Sequence, residues 1–182
     1  MASDELEVLH VVVSRLDAAG FAYMLSGSVA LGAYATPRMT RDLDIVIELE
    51  SPEVDRFVAV FESGFYCDAE AVRRSVATRG MVNLIELERV VKVDVIVRKD
   101  TPYRRLEFER RRRAVIDGQA MWIVSPEDLV LSKLAWAKAG ESAAQMADVR
   151  DLIRSVHNLD VAYLETWARE LGVEALLDEA RR

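Results

Sequence analysis

Hydrophobic positions along this chain change period several times, and each change marks an element. Leu6, Leu9, Val13 and Leu16 recur every three or four residues, which predicts a helix capped by Ser3, running to about Ala19 and stopped by Gly20. Phe21 to Leu25 is a short continuous apolar run, read as a buried strand. Ser26-Gly27-Ser28 forms a tight turn into a short helix over Val29 to Tyr34, broken by Thr36-Pro37-Arg38. Leu43, Ile45, Ile47 and Leu49 alternate with other side chains, the period of a strand with one buried face. Ser51-Pro52-Glu53 reads as a helix start, Ser51 as cap, with an end near Gly64. The pattern is weaker over 65–80, where a short helix around Glu70 to Val76 is expected. Met81 to Leu87 and Val90 to Val97 read as a hairpin turning at Glu88-Arg89. In its second strand Val91, Val93, Val95 and Val97 share one face; Lys92, Asp94, Ile96 and Arg98 share the other. Asp117-Gly118 is a hairpin-type turn between Val115-Ile116 and Met121 to Val124. From Ser125 the pattern is helical: one helix holds Leu129, Leu131, Leu134 and Trp136, a second spans Ala147 to Val156, and two more cover Val161 to Leu171 and Val173 to Ala180. The chain thus reads as an α+β protein. A mixed body over residues 1–124 is followed by a helical segment over 125–182, expected to pack on the sheet within the same unit.

Composition narrows the class. With 182 residues, 51% of them hydrophobic and 30% charged, the chain has enough apolar mass for a core. A net charge of -7 argues against a broadly cationic nucleic-acid binder. Cys67 is the single cysteine, so neither an internal disulfide nor a cysteine metal cluster is expected. The start, Met1-Ala2-Ser3-Asp4-Glu5-Leu6, lacks the basic and apolar regions of a signal peptide, and no apolar run approaches membrane-spanning length. A cytoplasmic protein without membrane association is the expectation.

Three acids break into apolar strands. Asp42 and Asp44 stand one residue apart and so project from one face, while Leu43 and Ile45 point the other way. Asp94 stands opposite the row of valines. Carboxylates in such surroundings are costly unless solvated, paired or bound to metal. Mg²⁺ favours a few carboxylate oxygens together with water and substrate phosphates. Two such ions, about 4 Å apart, serve phosphoryl or nucleotidyl transfer. The plain alternative for each acid is a solvent-facing position on a half-covered sheet. Gly27 permits a sharp backbone path, and the amides after it suit an anion; the alternative is an ordinary strand-to-helix turn. Arg104, Arg105 and Arg110 to Arg113 form the densest basic cluster, fitting either a polyanionic acceptor such as RNA or a counterweight to the acidic chain. Arg38 and Arg41 flank the acid strand and either neutralise phosphates or balance the acids. His10 and His157 are isolated, and Trp122, Trp136 and Trp167 read as core or helix-packing residues.

Gly27-Ser28, thirteen intervening residues, Asp42-Leu43-Asp44-Ile45 and then Lys92-Val93-Asp94-Val95 together resemble the signature of the polymerase-beta-like nucleotidyltransferase superfamily. Arg38 to Asp44, with Pro126-Glu127-Asp128-Leu129 and Lys133, resembles the branch holding AbiEii-type toxins and uncharacterised bacterial nucleotidyltransferases. The resemblance spans roughly residues 20–153. It implies a mixed sheet flanked by helices, with the active site at one edge. It further implies Mg²⁺, two ions, at Asp42, Asp44 and Asp94, with Asp94 also activating the acceptor hydroxyl. Gly27 and Ser28 would hold the triphosphate, Arg38 would meet phosphates, and Lys133 would reach them or stand solvated on its helix. Asp148 and Asp151 match an Asp-x-x-Asp helix of related proteins, with pairing to Lys133 or helix capping as the plainer role. The activity implied is transfer of a nucleoside monophosphate from an NTP such as ATP to a hydroxyl on RNA, protein or a small molecule, and the branch also implies a toxin–antitoxin pair with a cognate antitoxin-like protein. The alternative is a nucleotide- or partner-binding module of the same fold without catalysis.

Overall fold

The computed structural model describes residues 3–36, 42–140 and 142–182. The first helix, α1 (Ser3–Ala18), leads through Gly20, at φ +70°, into β1 (Tyr23–Leu25) and then α2 (Gly27–Gly32). After β2 (Asp42–Ile47), a 3₁₀ turn (Ser51–Glu53) opens α3 (Val54–Phe61). Next come β3 (Phe65–Tyr66), α4 (Ala69–Thr78), β4 (Met81–Glu86) and β5 (Lys92–Val97). A helix, α5 (Pro102–Glu109), precedes the hairpin β6 (Arg112–Ile116) and β7 (Gln119–Ile123). Four helices follow: α6 (Pro126–Gly140), α7 (Ala143–Ser155), α8 (Val161–Glu170) and α9 (Glu174–Ala180).

The seven strands form one mixed sheet in the order β3-β4-β5-β2-β1-β7-β6. β2 runs parallel to β5 and antiparallel to β1, which in turn pairs in parallel with β7. Each face carries its own core. On one side Val8, Leu9, Val12, Val13 and Leu16 of α1, with Phe57 and Phe61 of α3 and Val72 and Val76 of α4, cover Leu43, Ile45, Val93 and Val95. Phe21, Phe57, Phe61 and Phe65 form a ladder with centroids 5.7, 5.1 and 5.3 Å apart. Burying each of these rings is worth about 1.5–3 kcal/mol. On the other side Met24, Ala30 and Leu31 pack with residues from α6 to α9. Among the described residues no helix is long and apolar enough to cross a membrane.

Several local expectations are corrected. Helix α5 is an addition: Thr101 caps it by accepting the Arg104 amide at 3.4 Å, and Pro102 takes the first position. Its charged sequence hides the signal because Glu107 is buried with its charge matched by Arg104. Ser51 is not the cap of its helix; Glu50 is, exchanging side-chain bonds with Glu53 in a capping box. Helix α2 starts at Gly27, with Ser26 at the capping position, and no side chain bonds the helix end. The acidic strands lie third and fourth among seven, so the three expected site acids stand mid-sheet and not at an edge.

Candidate active site

The parallel register of β2 and β5 sets Asp42 beside Lys92 and Asp44 beside Asp94. Because side chains alternate, all four project from the face opposite Leu43, Ile45, Val93 and Val95. That face meets the first core helix of the other layer, α6, across a cleft of about 280 Å³ lined by Gly27, Ser28, Asp44, Asp94, Lys133 and Trp136, among others.

Three features define its chemistry. The first is steric. Gly27 has φ +61°, and a Cβ placed there would lie 1.9 Å from Asp44 Oδ2. The turn and the carboxylate can therefore be this close only with glycine at position 27. The second is electrostatic. Burial, then the neighbouring Asp94 and Asp42, push the Asp44 carboxyl up to about 6. Lys92 answers part of that charge, its Nζ lying 3.2 Å from Asp42 Oδ1 and 3.1 Å from Asp94 Oδ2. The third is an unmet valence: among the described residues, Asp94 Oδ1 is buried without a hydrogen-bond partner. A buried carboxylate oxygen left without a donor is costly, and a cation is the ligand that satisfies it.

Among the described residues no group of three His, Cys, Asp or Glu side chains forms a metal cage by itself. Magnesium sites that handle nucleotides differ from such cages, since one or two carboxylates and the substrate phosphates share the ion. The orphaned Asp94 oxygen and the Asp44 carboxylate it neighbours fit that donor set.

Lys133 is 3% exposed and bonds Asp148 Oδ2 at 2.7 Å and Gln145 Oε1 at 3.2 Å, joining α6 to α7. It is thus neither solvated nor isolated: it is a buried cation facing the cleft, and the pairing with Asp148 expected from sequence is present. Asp151 Oδ2 accepts the Thr36 amide at 3.1 Å. Arg38 and Arg41 lie outside the described residues.

Two residues escaped the sequence reading. Lys92 was placed on the acidic face by its alternation with Asp94, which was the available signal for its role. Trp136 is corrected outright: it is 65% exposed at the mouth of the cleft, not in a core. It also walls a second chamber of about 300 Å³, lined by Val46, Ile96, Arg98, Lys99, Arg104 and Glu107 and sharing Ser26, Ile96, Ser132 and Trp136 with the first. Val46 and Ile96 follow Asp44 and Asp94 by two residues, so this chamber continues the acidic face along the strands.

Much of the arginine cluster braces the fold. Arg110 bonds Asp128 at 3.1 Å and Glu127 at 3.2 Å and lies over the Tyr163 ring, while Arg112 reaches Glu127 at 3.6 Å. Arg111 and Arg113 stack on Trp122. Asp128 is fully buried, also accepting Ser125 Oγ and Tyr163 OH at 2.6 Å each. The Pro126-Glu127-Asp128 motif therefore anchors α6 against α8 and β6.

No family model and no curated protein sequence matches the chain. Solved structures do. An antigenic nucleotidyltransferase-like protein from Paracoccidioides brasiliensis is 21% identical over 99% of this chain and 93% of its own, with a TM-score of 0.61. The antibiotic-resistance factor ANT(2'')-Ia is 13% identical over 100% of this chain and 93% of its own, with a TM-score of 0.60. The lincosamide antibiotic adenylyltransferase LnuA is 12% identical over 86% of this chain and 98% of its own, with a TM-score of 0.55. The mid-sheet acidic strands, the glycine turn against them and the helical layer above belong to a chain with the nucleotidyltransferase fold.

Proposed function

We propose that this protein is a metal-dependent nucleotidyltransferase that moves a nucleoside monophosphate from an NTP to an acceptor hydroxyl and releases pyrophosphate. The observation that carries the reading is Asp94 Oδ1, a buried carboxylate oxygen without a partner among the described residues, on a residue aligned across the strands with Asp44. Asp42, Asp44 and Asp94 would hold divalent metal, Mg²⁺ by the all-oxygen donor set. When bound, the metal neutralises phosphate charge and acidifies the acceptor hydroxyl. Asp94 would take the proton of that hydroxyl as the hydroxyl oxygen bonds the α-phosphorus. The bond from that phosphorus to the β-phosphate bridging oxygen breaks, and the electron pair leaves with pyrophosphate. Lys133, which lines the same cleft as Gly27 and Ser28, would direct positive charge toward a triphosphate held there. Its fixed position supplies this charge without reorganisation.

The second chamber would accommodate the acceptor beside the carboxylates. At about 300 Å³ it takes one compact group, either a small molecule or one unit of a larger chain. Among the similar structures ANT(2'')-Ia is known with adenylyl-2''-tobramycin and LnuA with lincomycin, which favours a small molecule. A role as the toxin of a toxin–antitoxin pair is tested by growth: wild-type expression must arrest cells that Asp94→Ala spares.

The direct test is transfer of label from α-labelled NTPs into the small-molecule, RNA and protein fractions of a cell extract. Asp42→Asn and Asp44→Asn are expected to abolish both Mg²⁺-dependent NTP binding and transfer. Undiminished transfer by either variant refutes the assignment.

A further inference from the structure

Lys92 sits where a catalytic cation would be expected to act. Its ammonium bridges Asp42 Oδ1 and Asp94 Oδ2 at 3.2 and 3.1 Å, and the strand register places it directly beside Asp42. The ammonium lies within ion-pair distance of both carboxylates at once. The site thus brings its own positive charge to two of the three acids. Among the described residues, this ammonium leaves Asp94 Oδ1 unsatisfied. The side chain is 38% exposed, at the open end of the acidic face, on a flexible four-carbon stem.

We infer that Lys92 is a positioning residue that competes with the divalent metal for Asp42 and Asp94, so that the site takes metal well only together with a nucleotide. This rests on the transferase reading and adds to it the order of assembly. Metal alone must displace a resident cation from the oxygens it needs. A metal arriving with a triphosphate meets a different balance, because the displaced ammonium gains phosphate oxygens in place of carboxylate ones. Lys92 then both keeps Asp42 and Asp94 together before loading and guards against idle metal occupancy.

The test compares wild type, Lys92→Met and Lys92→Arg. Calorimetry measures Mn²⁺ and Mg²⁺ binding alone and with each of the four NTPs, and thermal unfolding is followed in EDTA and in Mg²⁺. Lys92→Met is expected to bind metal alone about tenfold more tightly, the scale of two partly exposed ion pairs removed from competition. It should melt lower than wild type in EDTA and regain stability on adding Mg²⁺ without nucleotide. Lys92→Arg, which keeps the charge, should retain the weak wild-type response to metal alone. Wild type that binds Mg²⁺ with an NTP, together with a Lys92→Met affinity for metal alone that is unchanged or weaker, overturns the proposal and leaves the transferase reading standing. Lys92→Arg behaving as Lys92→Met also overturns it, since charge would not be the cause. Wild type that binds no NTP in Mg²⁺ overturns the transferase reading, and the proposal with it.

Discussion

Replacing Gly27 with alanine adds one carbon in the place where the structure has least room for it. The new Cβ would sit 1.9 Å from Asp44 Oδ2, 2.6 Å from its Cγ and 2.9 Å from its Cβ. The carboxylate must then retreat by more than an ångström, while the backbone holds an L-residue at φ +61°. The left-handed conformation costs roughly 1–2 kcal/mol, and a side chain driven off its rotamer costs about 1 kcal/mol more. For a chain of this size, that lowers the melting temperature by about 4–12 °C. Function should suffer out of proportion to stability, because a displacement of about 1 Å at a reacting centre costs on the order of a hundredfold. Gly20→Ala provides the control: φ is +70° and nothing lies within 4 Å of the added carbon, so the strain is matched and the collision is absent. Calorimetry of NTP binding in Mg²⁺ and thermal unfolding, run on both variants, separate the two effects. Both proteins should melt lower, and Gly27→Ala alone should bind NTP more weakly and transfer about a hundredfold more slowly. Equal NTP affinity in the two variants would show that the contact between Gly27 and Asp44 does not set the site.

Three other outcomes follow from the same geometry. The Asp44 carboxyl titrates at about 6 against an ordinary 3.8, so the folded protein favours its neutral form; that stability is full below pH 4 and is lost as pH rises through 6. Asp44→Asn should therefore melt above wild type at pH 8 without metal, by up to about 3 kcal/mol, and wild-type NTP binding in Mg²⁺ should weaken as pH falls below 6; a flat pH profile for both would refute the assignment. Lys133→Met strips Asp148 of a 2.7 Å buried ion pair and should cost about 3–5 kcal/mol, whereas Lys133→Met with Asp148→Leu should recover most of that stability without recovering transfer; full activity in the stable double variant would make Lys133 purely structural. Val90, 75% exposed at φ 57°, holds a β-branched side chain in the left-handed region, so Val90→Asn should raise the melting temperature by about 2–4 °C in differential scanning calorimetry.

The acid strands and the valine face were legible because alternation is a local signal; the β2–β5 register, which keeps Val93 and Leu43 in one core, was not, because pairing joins strands far apart in sequence. Gly27 was visible as a local signal too, at a strand end where the path must turn. Helix α5 was not, because Arg104 and Glu107 look like surface charges until the fold buries one against the other. Trp136 misled in the opposite sense. It shares a helix with Leu129, Leu131 and Leu134, all buried, and yet faces the cleft. A helix enclosed on nearly every side offers no polar stripe from which an outward position can be read. The Arg110–Asp128–Tyr163 brace joins elements distant in sequence, and no spacing along the chain encodes it.

The pairing of β2 with β5 carries a consequence for how activity relates to folding. A slip of β2 by one residue would turn Asp42 and Asp44 into the layer of Leu9, Phe57 and Phe61, and expose Leu43 and Ile45 in their place, while Asp94 kept its face. The error that would disarm the site is therefore one that the core rejects. Partial loss of specific activity in a preparation should then report molecules that are unfolded and not molecules that are folded but inert. Titrating activity against denaturant should give a curve superimposable on the unfolding transition.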